Sequence, residues 1–155
     1  MSQIQFINPE AMSKPPGYTH VVEASAPARI VYIAGQLGID RDGRVVGDFR
    51  QQAVQIFENL KAALAVVGGG FENVVKLNNY LVDLGDLPAF RQVRDSYLAD
   101  RNRPASTTIA ISGLARQGAL LEIEAVAVLP ARRRRPRAPA RGARAATRAS
   151  RRKRR

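Results

Sequence analysis

The 155-residue chain contains no cysteine and a single histidine, His20. Without cysteine there are no disulfides, no thiolate nucleophile and no thiolate-held metal. One histidine cannot build a histidine-rich zinc centre or, by itself, a standard catalytic triad, and a lone histidine is more often an ordinary strand or surface residue. No segment approaches the roughly 18 consecutive apolar residues of a membrane span. Met1 to Pro9 also lacks a basic region followed by an apolar run, so neither membrane insertion nor secretion is expected, and the cytoplasm is the default location.

What is present in excess is positive charge, and it is unevenly placed. Residues 131–155 hold thirteen of the 25 basic residues, twelve Arg and Lys153, with no acid. The first 130 residues therefore carry 12 basic and 13 acidic groups, net −1, and the overall +12 belongs to the tail. A nearly neutral body shows no electrostatic footprint for nucleic acid, whereas the tail can bind polyanions. From Ala131 onward, Arg, Ala and Pro with no aromatic residue leave nothing to bury, so the tail is expected to be disordered and the body, 1–130, to be a single domain. Polyanion binding there would be non-specific and salt-dependent, because no aromatic platform stacks bases. A neutral extension and a coding accident past the domain's end explain the tail equally well.

Along the body the hydrophobic period changes. Residues 18–36 read as two strands with a turn at Pro27, the second strand being Arg29-Ile30-Val31-Tyr32-Ile33-Ala34. Phe49, Ala53, Ile56, Phe57, Leu60, Leu64 and Val67 then recur at three- and four-residue spacing, which predicts an amphipathic helix capped by Asp48 and stopped at Gly68. Gly68-Gly69-Gly70 follows a helix and precedes no Lys-Ser or Lys-Thr pair, so it is a helix stop and not a phosphate loop. Val74–Val82 reads as a strand. Asp86-Leu87-Pro88 opens a second helix with Phe90, Val93, Tyr97 and Leu98 inward, and Pro104 ends any continuation. Strands near 105–112 and 119–129 complete the order β-β-α-β-α-β-β, an α+β two-layer sandwich with two helices on one face of a mixed sheet.

The last strand carries the chemistry. In Leu121-Glu122-Ile123-Glu124-Ala125, alternation puts Glu122 and Glu124 on one face and the apolar residues on the other. Solvated glutamates on an amphipathic strand are the ordinary explanation.

Four segments change the odds. Gly17-Tyr18, Ile33-Ala34-Gly35-Gln36, Val74-Val75-Lys76 to Val82-Asp83-Leu84, and Pro104-Ala105 with Leu121-Glu122-Ile123-Glu124-Ala125 resemble, in order, the reactive intermediate deaminase (RidA, YjgF-like) family. The resemblance covers about residues 4 to 129. It implies a chorismate-mutase-like fold, a homotrimer with ligand clefts between subunits, and hydrolysis of small imines or enamines to a carbonyl compound and ammonia. No cofactor or metal is indicated. Carried over by position, Glu122 would order the attacking water, Tyr18 close the cleft and the Gly35 backbone donate to the ligand. Ser106 stands where the family has a carboxylate-clamping arginine.

That departure bears on the substrate. Arginine grips a carboxylate with a charged fork, and serine offers one neutral hydrogen bond. Losing a buried charge-assisted pair costs on the order of 2 to 5 kcal/mol, so 2-iminopropanoate and 2-iminobutanoate are expected to be poor substrates. Ala34 replaces a frequent serine and Arg94 a frequent asparagine. Arg94 or Arg103 is a candidate replacement anchor, against the alternative that Arg94 is a solvated helix residue paired with Asp95. A ligand binder without turnover, and a nucleic-acid binder acting through the tail, are the competing functions.

Overall fold

A computed structural model describes residues 4–25 and 28–131. The expected Pro27 turn and nearly all of the expected disordered tail lie outside the described residues.

Helix α1, Phe49–Val66, begins where the sequence provides a cap. Asp48 accepts from the Gln51 amide at 2.9 Å, and the Gln51 side chain returns a bond to the Asp48 amide at 2.9 Å. The reciprocal box satisfies two donors that a helix start leaves open. The apolar spacing buries Phe49, Ala53, Ile56, Phe57, Leu60 and Leu64. At the far end Gly68 takes φ +76° and the Gly69 amide reaches back to the Leu64 carbonyl at 2.9 Å. A side chain would strain that left-handed position, and the glycine there lets the helix end.

Helix α2, Leu87–Tyr97, has Pro88 in its first turn and buries Phe90, Val93 and Arg94. The two helices cover one face of a four-stranded sheet. Its strands are β3 (Ala28–Leu37), β4 (Val74–Leu81), β5 (Ala105–Ala110) and β6 (Leu121–Pro130), in the order β3-β6-β4-β5. The β4–β5 pair is parallel and the other two pairs are antiparallel. Parallel neighbours need a crossover, and α2 supplies it. The fold is therefore the expected mixed α+β sandwich, with a core that joins Ile33, Leu77, Leu81, Leu121, Ile123 and Ala125 to both helices.

One strand was not anticipated. Ile4–Ile7 forms β1, which pairs with β2, Val21–Ala24, as a separate two-stranded antiparallel sheet. The four-residue segment is too short to show a period, and its pairing partner lies across a loop of irregular sequence. No helix among the described residues is long and apolar enough to cross a membrane.

Candidate functional site

On β6 the residues Leu121, Ile123 and Ala125 are buried against the helices, so Glu122 and Glu124 lie on the outer face. The two carboxylates have different surroundings. Glu124 accepts from Tyr80 Oη at 2.9 Å and from Asn78 Nδ2 at 3.2 Å, both across the β4–β6 ladder. The Glu122 carboxylate makes no hydrogen bond or ion pair among the described residues. The Tyr80 phenol is pushed above its ordinary value by the hydrogen bond it gives Glu124, by burial, and by the charges of Glu124 and Glu122.

A bulge in β3 sets the position of Glu122. Ile33 pairs with Ala125 but Gln36 pairs with Ile123, so Ala34 and Gly35 together fill the space opposite Glu124. Gln36 Nε2 donates to the Ala34 carbonyl at 3.0 Å and ties the bulge to itself. The Glu122 carboxylate lies directly over Gly35. A Cβ there would fall 1.7 Å from Glu122 Oε1 and 2.7 Å from its Cδ, so no residue with a side chain fits without moving the acid. Glycine at 35 is required by close approach, since a left-handed backbone is not involved.

The remaining candidates meet elsewhere. The loop before β2 is sewn to the entrance of β5, the Thr19 amide donating to the Pro104 carbonyl at 3.2 Å and Thr19 Oγ1 to the Arg103 carbonyl. This docking sets Tyr18 beside α2 and β5. Tyr18, Arg94 and Ser106 line one pocket of about 330 Å³, with Arg91 and Thr108 beside them and Leu87 as an apolar wall. His20 braces the same loop, its Nε2 lying 2.8 Å from the Ser13 carbonyl and its ring edge-on to Tyr18 at 5.3 Å.

Ser106 is already engaged. It pairs with Leu77 in register and so faces the helix side, where buried Asn79 donates to Ser106 Oγ at 3.0 Å and to Thr108 Oγ1 at 3.1 Å. Asn79 Oδ1 itself is buried with no partner. Nothing in the sequence marks Asn79 as special except a polar residue at a core position of an otherwise apolar alternation.

Arg94 is only 5% exposed, which excludes the solvated alternative, although the anticipated pairing with Asp95 is present at 2.8 Å. Its guanidinium lies against Gly17, where φ is +90° and a Cβ would stand 2.5 Å from Nη2, and above the Phe90 ring at 5.9 Å. Arg103 binds the same Asp95 oxygen and reaches Asp100 at 3.2 Å. Burial would raise the Asp95 carboxyl, but hydrogen bonds from Arg103 and Arg94 and their charges outweigh it and hold the group below the usual range.

Within the chain, then, the five candidates fall into two groups. Glu122 and Gly35 share the outer sheet face, and Tyr18, Arg94 and Ser106 share a pocket between α2, β5 and the loop before β2. Tyr80 and Asn78 join the first group only through strand register, which sequence reasoning did not anticipate.

These features define a class of protein: a chorismate-mutase-like sheet-and-helix domain, the fold of several solved structures. One is the Rid-family protein YyfB of Yersinia pestis, with TM-score 0.71 and 34% identity over 81% of this chain and 98% of that one. The family model described as endoribonuclease L-PSP matches residues 10–129, and the chain belongs to this RidA/YjgF family. Similar curated proteins include the 3-aminoacrylate deaminase RutC of Acinetobacter baylyi, 35% identical over 73% of this chain and 90% of the relative. The 2-iminobutanoate/2-iminopropanoate deaminase of Dermatophagoides farinae is 30% identical over 83% of this chain and 99% of the relative. Enamine and imine deamination are thus both represented among the relatives.

Proposed function

We propose that the protein hydrolyses a small imine or enamine to a carbonyl compound and ammonia. Glu122 carries the reading: it is the one carboxylate of the strand pair left without a partner among the described residues, pressed against a bulged glycine backbone. Hydrolysis needs a water aimed at the C=N carbon, proton movement to nitrogen, and an anchor for the rest of the substrate. The substrate reacts as its protonated iminium, which an enamine reaches by protonation at carbon. Glu122 accepts a proton from the attacking water as the carbon–oxygen bond forms and passes it to the carbinolamine nitrogen, then takes the remaining hydroxyl proton as the carbon–nitrogen bond breaks and releases it to solvent. Ammonia and the carbonyl leave. The Gly35 backbone is assigned to hold the ligand beside Glu122.

Tyr18, Arg94 and Ser106 form the binding half. Because they lie apart from Glu122 in one subunit, the complete cleft requires a second copy, and a homotrimer with shared clefts is the assembly we assign. Ile30, Tyr32 and Ile109 support it, since they are 60%, 79% and 45% exposed on the same sheet face as Glu122. Isolated apolar residues need no explanation, but three on one sheet face favour burial by another subunit. With Ser106 in place of arginine, the substrate is assigned outside the simple 2-imino acids.

A competing reading as a ligand binder without turnover draws on one observation, the engagement of Ser106 by Asn79. Ammonia release from a panel of imines and enamines separates the two. Glu122→Gln should abolish release while Glu124→Gln preserves it; equal effects in both variants would remove Glu122 from the chemistry.

A further inference from the structure

Beside the Tyr18–Ser106 pocket lies a larger groove of about 600 Å³, and the two share Pro16, Tyr18, Arg91 and Arg94 as a common wall. The groove runs between the Lys14–Thr19 loop, α2 and the turn that ends at Arg103. Lys14, Arg91, Arg94, Arg101 and Arg103 line it, opposed only by Asp95 and Asp100. The first 130 residues hold just 12 basic groups against 13 acidic ones, so five of those twelve cations converge on one concavity of a nearly neutral body.

The pairing sharpens the imbalance. Asp95 is taken by Arg94 and Arg103, and Asp100 by Arg103. Lys14, Arg91 and Arg101 form no ion pair among the described residues. Single unpaired surface cations do little, but several facing one concave wall sum their potentials and attract an anion. A surplus of three positive charges exceeds what one carboxylate neutralises. It suits a phosphate, which carries about −1.5 to −2 charge at neutral pH and matches the guanidinium fork. A three- or four-carbon imino acid would also leave most of the groove empty.

We infer that the groove binds a phosphate group of the substrate, so that the deaminase substrate is a phosphorylated small molecule whose imine or enamine end passes Tyr18 toward Ser106. The inference rests on the proposed deaminase function and narrows its substrate class. Arg91 and Arg101 hold the phosphate, and the buried Arg94 separates the two ends of the ligand.

The test is calorimetric titration of the full-length chain with inorganic pyrophosphate at about 0.15 M salt, which screens loose surface attraction. Arg91→Ala/Arg101→Ala should weaken binding by about tenfold or more, equivalent to about 1.4 kcal/mol. Arg41→Ala/Arg116→Ala, which removes equal charge elsewhere on the body, should leave binding within about twofold. Equal losses in both double variants, or no loss in either, would overturn the inference and place the anion on the tail or nowhere. Glu122→Gln should bind pyrophosphate as the parent does; normal pyrophosphate binding with no ammonia release from any imine would sink the deaminase reading while leaving the groove standing. Retention of single-stranded RNA should be unchanged by Arg91→Ala/Arg101→Ala. A tenfold drop there would give the groove to a polynucleotide and overturn the small-molecule assignment.

Discussion

The outer sheet face and the groove beside α2 are opposites in charge and in how they are held. The sheet face offers carboxylates, one fixed by Tyr80 and Asn78 and one without a partner, over a bulge that brings backbone close. The groove offers guanidinium groups in surplus, one of them buried and paired. The proposed reaction chemistry and the proposed substrate grip thus rest on different elements, one on strand register and the other on a docked loop. Such separation lets the grip change without disturbing the acid, which is what an altered residue at position 106 requires.

Five substitutions break or sharpen that contrast. Glu122→Gln should lower ammonia release by about 100-fold or more, in keeping with the loss of a positioned proton carrier, whereas Glu124→Gln should stay within about threefold. Gly35→Ala comes next. The nearest atoms its Cβ meets all belong to the Glu122 side chain, from Oε1 to Cγ, so the acid is displaced before the core is. Activity should fall by up to about 100-fold. The melting temperature should drop by less than about 4 °C, as differential scanning calorimetry would show.

In the pocket beside the groove, Ser106→Arg should raise kcat/KM for 2-iminopropanoate by about tenfold, because it adds one charge-assisted contact to the carboxylate. A gain in that assay with no change in the action of Glu122→Gln would show the two halves to be separable. Asp95→Asn should have the smallest effect, about 1 kcal/mol of stability at pH 7, since its carboxylate is 43% exposed and water screens the pairs. The folded-state value lies below the usual 3.8, so this contribution is present above pH 3.8 and is lost as pH falls through the lowered value. The stability difference between parent and variant, followed by denaturant titration from pH 7 downward, should therefore shrink at the acid end.

How much of this was legible in the sequence depends on whether the information is local. The α1 helix was readable because Asp48, Gln51 and the apolar spacing act within a few residues of each other. The placement of Glu122 and Glu124 on one face followed from strand alternation alone. Their different fates did not, because Tyr80 and Asn78 reach Glu124 only through the register of β4 against β6. The bulge at Ala34-Gly35 was equally hidden, since the extra residue shows only against its partner strand. The groove unites Lys14 with Arg91 and Arg101 through the docking of Thr19 onto Pro104, a contact that spans most of the body. The sequence did hold one hint, the cluster of Arg91, Arg94, Arg101 and Arg103 within thirteen residues.

Asn79 gives the molecule a built-in weak seam. Its orphaned oxygen costs about 1 to 3 kcal/mol where the parallel β4–β5 pair meets, and among the described residues β5 has no neighbour on its far side. Solvent deuterons should therefore enter the backbone amides of β5 sooner than those of β6, which is flanked on both sides, and the strand bearing Ser106 is more compliant than the centre of the sheet.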